Sequence, residues 1–189
     1  GHGAQNFRNG IMNSCNPAFI EWGRRVGVNS FYKYLGKLGL LSKTGIDVAG
    51  EASTIIHKQA NVGEVELATM SFGQSFQITP VQMLRAAAAI VNGGNLVTPH
   101  FGIKTVDDNN QVIENFDYNI TEGAIEEETS NTMKDILRQV VENGGGKKAY
   151  IEGFSIGGKT ATSQKLPRGS GKYIASFIGF STVDEPQIM

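Results

Sequence analysis

Cysteine, histidine and tryptophan are scarce in this 189-residue chain, which holds one Cys, three His and one Trp. The single Cys15 excludes an internal disulfide and any zinc site built on cysteines, and His2, His57 and His100 stand too far apart for a local metal motif. Net charge is lacking too. With 17 Lys plus Arg against 18 Asp plus Glu, the balance of -1 offers no broad positive field to hold a nucleic acid. Nor is there a long apolar run: residues 86–91, cut off from Met83 and Leu84 by Arg85, fall far short of the ~20 residues that span a bilayer. The chain as it stands reads as soluble. It shows no basic start followed by an apolar stretch, which leaves either a cytosolic protein or an excised piece of a longer one. Glycine alone is plentiful, with 24 residues, but only 5 prolines accompany it, below the roughly 25–30% Gly plus Pro of low-complexity chains. The length suits one loop-rich domain with a core of its own.

Helix signals fill the first half. Asn16-Pro17 opens an apolar segment through Phe19, Ile20, Trp22 and Val26 that stops at Gly27, and Asn29 or Ser30 caps a second through Phe31, Tyr34, Leu35 and Leu38 that stops at Gly39. Thr79-Pro80-Val81-Gln82 has the form of a capping box, followed by Met83, Leu84, Ala87, Ala88 and Val91 and a stop at Asn92-Gly93-Gly94. Residues 43–60 read as a loop turning at Gly45 and Gly50, and residues 64–72 as a short helix. In the second half, residues 96–99 and 101–106 read as strands, with a turn at 107–110 before Val112 and Ile113 to make a hairpin. Met133, Ile136, Leu137, Val140 and Val141 share one face of a helix that ends at Asn143-Gly144-Gly145-Gly146. Residues 154–162 and 173–180 read as strands joined by the polar stretch 163–172. The mixture is α+β without an internal repeat.

Two short patterns compete for the chemistry. Gly153-Phe154-Ser155-Ile156-Gly157-Gly158-Lys159-Thr160 satisfies the G-x-x-x-x-G-K-[ST] form of a phosphate-binding loop. Its setting argues against a nucleotide: residues 147–152 are too polar for the buried strand that should precede it, and Pro167, Gly169 and Gly171 would break the helix that should follow. The other pattern is Ser14-Cys15-Asn16 early and Lys159-Thr160-Ala161 late. S-x-x-K, S-D-N and K-T-G together mark serine acyl-transfer sites. Such a reaction needs a proton shuttle to the leaving amine, a cation near the hydroxyl, and donors for a substrate carboxylate.

Longer blocks accompany the triplets: Asn13-Ser14-Cys15-Asn16-Pro17-Ala18-Phe19; Lys43-Thr44-Gly45-Ile46-Asp47-Val48 with Gly50-Glu51-Ala52-Ser53; Phe72-Gly73-Gln74-Ser75 with Ile78-Thr79-Pro80-Val81-Gln82; and Val91-Asn92-Gly93-Gly94. In this order they resemble the transpeptidase domain of the class B penicillin-binding proteins, the peptidoglycan D,D-transpeptidases, most of all those of division or spore-wall synthesis. The resemblance implies a penicillin-binding, serine β-lactamase-like fold, an antiparallel sheet plus a helical subdomain. Residues 1–189 would form a single partial domain, helical mainly over 1–95, with the hairpin, a helix and the sheet strands over 96–189. It also implies no cofactor or metal, and as partners a stem peptide ending in D-Ala-D-Ala, β-lactams and cell-wall synthesis proteins, with no nucleic acid.

By the same resemblance Ser14 passes protons between nucleophile and amine, Asn16 hydrogen-bonds the substrate's amide side chain, and Lys159 keeps the site electropositive and polarises Ser14. Thr160 and Thr162 offer hydroxyls to the terminal carboxylate, and the Thr162 N–H supplies half of the oxyanion hole. Ala161 stands where the family has Gly, adding a methyl where the peptide approaches closely. Plainer readings stand beside these. Ser14 or Asn16 caps the helix at Pro17, Lys159 is a solvated strand charge, Cys15 packs as a small buried apolar residue, and Trp22 with Phe19 and Val26 is core.

The family's nucleophile is the Ser of an S-x-x-K motif upstream of S-x-N. The only S-x-x-K here, Ser30-Phe31-Tyr32-Lys33, follows Ser14, and Ser30 has an ordinary use as a cap. The expectation is therefore an internal fragment, incomplete at both ends and without the nucleophile, of an extracytoplasmic protein anchored in the cytoplasmic membrane. A noncatalytic β-lactam sensor or scaffold of the same fold, or a serine β-lactamase or D,D-carboxypeptidase, is the alternative.

Overall fold

The computed structural model describes residues 2–165, 167 and 169–189, so Gly1, and Leu166 and Arg168 of the 163–172 connection, lie outside the described residues. Helix α1 (Phe7–Met12) starts where the Asn6 side chain accepts the Asn9 N–H at 2.8 Å. Helix α2 (Asn16–Lys37) has Pro17 in its first turn and is broken at Gly27, whose φ of 73° and ψ of 161° no helix tolerates. The break replaces the start expected at Asn29 or Ser30, because Gly27 itself carries the non-helical turn and both residues lie inside the helix. As expected, the chain stops being helical just before Gly39, at φ 70°.

Helix α3 (Glu64–Ser71) is followed by α4 (Pro80–Val91), whose Thr79–Gln82 capping box is formed in both directions. Gln82 is fully buried, and its amide donates to Ser42 O at 2.6 Å and to Thr54 Oγ1 at 2.8 Å, which ties the loop after α2 to α4. After Asn92 the chain forms β1 (Leu96–Val97), β2 (Lys104–Val106), β3 (Val112–Asn115) and β4 (Ile120–Thr121). β2 and β3 form the expected hairpin, whereas β1 pairs antiparallel with β4. The first strand is shorter than 96–99, and the second starts later than residue 101 for a visible reason: the Asp47 carboxylate accepts the N–H groups of Phe101 and Gly102 at 3.0 and 2.7 Å, so neither enters a ladder.

Helix α5 (Glu127–Asn143) is the hub. Its Ile136 and Val140 pack with Ile11 of α1, and Met12, Phe19, Trp22 and Met133 close around them. Leu137 joins Val91, Phe180 and Val183 in a second cluster. Ile136, Val140 and Val141 are almost wholly buried, and each contributes roughly 1.5–3 kcal/mol by leaving water. Two expectations fail at this core. Val26 is exposed, since the break at Gly27 ends the stripe that Phe19 and Trp22 begin, and Cys15 is only half-buried in the turn before α2.

Strands β5 (Ile156–Gln164) and β6 (Tyr173–Ser181) form an antiparallel ladder in register from Ile156↔Ser181 to Gln164↔Tyr173, with Ile188 bridging back to Ser181. Gly157 and Gly158 owe their lack of side chains to packing. A Cβ on Gly157 would meet the Phe180 ring at 2.3 Å, and one on Gly158 the Phe177 ring at 2.4 Å. Helices and antiparallel strands thus combine in an α+β fold whose helix α5 lies behind β5.

Candidate active site

Two chain segments far apart in sequence build the site. The first is the turn between α1 and α2. There the Ser14 N–H donates to Ile11 O at 3.1 Å and the Cys15 N–H to Gly10 O at 2.9 Å, which folds the backbone back on α1 and leaves Ser14 at φ 48°. A left-handed serine is strained by roughly 1 kcal/mol. The turn holds that conformation and exposes the side chain. Helix α2 is capped at Cys15 without any side-chain hydrogen bond, so neither Ser14 nor Asn16 does the capping expected of it in the plainer reading. Gly10 lets the turn sit close to α2, since a Cβ there would fall 2.4 Å from the Trp22 ring. Helix α1 is fastened to α5 by Arg8, which pairs with Asp135 at 2.5 Å, while Arg138 pairs with the other oxygen of the same carboxylate at 2.7 Å.

The second segment is β5. Lys159 reaches across to donate from Nζ to Ser14 Oγ, 145 positions away in the chain, and donates also to its neighbour Thr160 O at 2.8 Å. Burial pushes the Lys159 ammonium's pKa below the ordinary lysine value. Among the described residues no carboxylate forms an ion pair with it, the ion pairs being Arg8–Asp135, Arg138–Asp135 and Arg25–Glu21. A partly desolvated cation without a counter-ion favours an anion or a polarised hydroxyl beside it.

The strand's two-residue period places Lys159 and Ala161 on one face and Thr160 and Thr162 on the other. Ala161 and Thr162 are exposed, Thr160 half-buried. Asn16 is exposed at the first position of α2, next to the turn that holds Ser14. The structure thus joins Ser14 to Lys159 directly, with Thr160 adjoining. Ser30 is not part of this arrangement: it is exposed on α2 beyond the break at Gly27, and the Lys159 ammonium donates instead to Ser14 Oγ and Thr160 O.

The phosphate-loop reading fails on this geometry. Residues 157–160 pair with 177–180 along the ladder, and Thr160 is followed by strand rather than helix, so the N–H groups cannot surround a phosphate. Sequence reasoning missed the part played by the glycine run after α5. The Gly145 N–H donates to Met12 O at 3.2 Å, and this bond fastens the chain two residues before Ser14. Only the run of three glycines marked the place, and it read simply as a helix stop. Among the described residues no group of His, Cys, Asp and Glu could hold a metal ion.

Comparison with known proteins agrees with this architecture. The family model for the penicillin binding protein transpeptidase domain matches residues 1–189. Stage V sporulation protein D of Bacillus subtilis (strain 168) is 39% identical over 193 residues, covering 100% of this chain and 30% of the relative. A peptidoglycan D,D-transpeptidase FtsI homolog of Mesostigma viride is 27% identical over 197 residues, covering 94% of this chain and 33% of its own. The chain therefore spans about a third of the length of these curated relatives. Among solved structures, penicillin binding protein 3 of Mycobacterium tuberculosis complexed with ampicillin superimposes with a TM-score of 0.86 at 27% identity, over 96% of this chain and 42% of that one.

Proposed function

The chain belongs to the penicillin-binding protein transpeptidase domain family, and we propose that it forms part of the active site of a serine D,D-transpeptidase that cross-links peptidoglycan stem peptides and is acylated by penicillin. The observation that carries this reading is the contact between Lys159 Nζ and Ser14 Oγ, which helix capping does not require and acyl transfer does. In the proposed reaction a serine hydroxyl of the complete protein attacks the carbonyl carbon between the two terminal D-alanines. The C–N bond breaks and the leaving nitrogen needs a proton. Because Lys159 donates to one lone pair of Ser14 Oγ, the Ser14 hydrogen is free to turn toward that nitrogen, and the nucleophile's proton replaces it on the other lone pair. Thr160 and Thr162 receive the terminal carboxylate, the Thr162 N–H lies at the carbonyl oxygen, and Asn16 holds the substrate's amide side chain. A β-lactam ring amide follows the same route.

We read residues 1–189 as one partial domain, helical mainly over 1–95 and carrying the hairpin, α5 and the sheet over 96–189. The complete protein would be anchored in the cytoplasmic membrane, act outside the cytoplasm and work with other cell-wall synthesis proteins. Among the described residues no helix is long and apolar enough to cross a membrane. Release of D-alanine from a peptide ending in D-Ala-D-Ala by the full-length protein tests the reading. Ser14→Ala is expected to slow it by on the order of 100-fold or more, the usual worth of a placed proton donor. An unchanged rate would remove Ser14 from the chemistry.

A further inference from the structure

Of the three glycines after α5, only Gly145 stands between the two halves of the site. A Cβ on Gly145 would lie 3.7 Å from Met12 O and 3.7 Å from Thr160 Oγ1, ordinary contact on both sides, whereas one on Gly144 would lie 2.9 Å from Met12 O and 3.0 Å from Val140 O. Gly145 is also not among the glycines with positive φ, so its backbone does not demand glycine. The space is therefore available to a methyl group but empty. What it faces is the Thr160 hydroxyl. Gly145 is exposed, and the gap it leaves at a hydroxyl able to donate suits an acceptor such as a carboxylate oxygen.

We propose that Gly145 is a specificity-determining position: its missing side chain keeps open the slot in front of Thr160 Oγ1 through which the carboxylate end of the substrate is received. This rests on the reading of Thr160 as a carboxylate donor. A larger residue at 145 extends from a point already in contact with Thr160 Oγ1, so it covers the hydroxyl before it disturbs the fold. Gly144 has a different part. Any side chain there presses on Met12 O and so on the turn that holds Ser14, an effect that does not depend on the ligand's charge.

The test uses the full-length protein and two probes, a penicillin with its free carboxylate and the methyl ester of the same penicillin, with acylation followed by intact mass. Gly145→Val should slow the free acid roughly 10- to 100-fold, the loss expected when one hydrogen bond to a charged group is blocked, while changing the ester less than about twofold. Gly145→Ala should fall between wild type and Gly145→Val, and since its methyl fits at ordinary contact distance it carries the test should the valine variant fail to fold. Gly144→Ala should slow acid and ester alike. Equal slowing of both probes by the Gly145 variants, or no slowing of the acid, overturns the proposal. Ser14→Ala measured alongside separates this from the parent reading, because a Ser14 variant that acylates normally refutes the proton shuttle whatever the Gly145 series shows.

Discussion

Replacing Gln82 by Met keeps the volume of a fully buried side chain and removes its hydrogen bonds, so its cost can be worked from the structure. The amide nitrogen serves Ser42 O and Thr54 Oγ1, and the amide oxygen accepts the Thr79 N–H at 2.9 Å. Thr54 retains its own bond to Leu40 O at 2.8 Å, so two backbone groups, Ser42 C=O and Thr79 N–H, are left without their partner. Ser42 is exposed and Thr79 half-buried, so water takes up part of what is lost, and at about 0.5–1.5 kcal/mol for each hydrogen bond the net loss is about 1–3 kcal/mol. For a chain of this size that lowers the unfolding midpoint by roughly 2–12 °C in calorimetry. Gln82→Glu adds a check on sign. Burial raises that carboxyl's pKa, and its protonated form restores one donor, so relative to wild type this variant should be more stable at pH 5 than at pH 7. A Gln82→Met loss below ~1 kcal/mol would show that the loop after α2 does not depend on Gln82. The tie between α4 and that loop would then contribute little to stability.

Lys159 gives a pH prediction. Its folded-state pKa is lowered by burial, so the unfolded chain takes up the proton first as pH falls. The resulting destabilisation is complete below the folded pKa and disappears as pH rises toward the ordinary value of 10.5. Urea midpoints of wild type measured from pH 7.5 upward should therefore rise relative to those of Lys159→Met, and parallel curves would show that the ammonium is not desolvated. The 189-residue chain incubated alone with a reactive penicillin should carry no adduct at Ser30 by peptide mapping, because Ser30 is exposed on α2 and the hydroxyl that Lys159 engages is that of Ser14. A stoichiometric adduct there would displace Ser14 from the site.

What was legible in the sequence was what is local. The Thr79–Gln82 box, the face of α5 and the stop at Asn92-Gly93-Gly94 depend on residues within a turn or two of one another, and each formed as the spacing indicates. Helix α1 escaped notice because six residues with one cap and a glycine in their midst carry little periodic signal, and its stability comes from α5, more than a hundred positions away. The β1–β4 pairing has two residues a side and no turn of its own to announce it. At the site, the resemblance supplied the residues and the structure supplied the meeting of Ser14 with Lys159. The place of Gly145 was hidden for a physical reason: a missing side chain has meaning only through the groups that surround the gap, here Met12 O and Thr160 Oγ1.

A double-mutant cycle on Ser14 and Lys159 tests the central claim most directly, with the rate of acylation of the full-length protein by penicillin as the readout. If Lys159 acts by holding and polarising the Ser14 hydroxyl, then Ser14→Ala and Lys159→Ala remove the same function. The double variant should be about as slow as the slower single one, with a coupling on the order of 1–3 kcal/mol. Losses that simply add would mean that the two residues act apart, and would contradict the proton shuttle built on their contact.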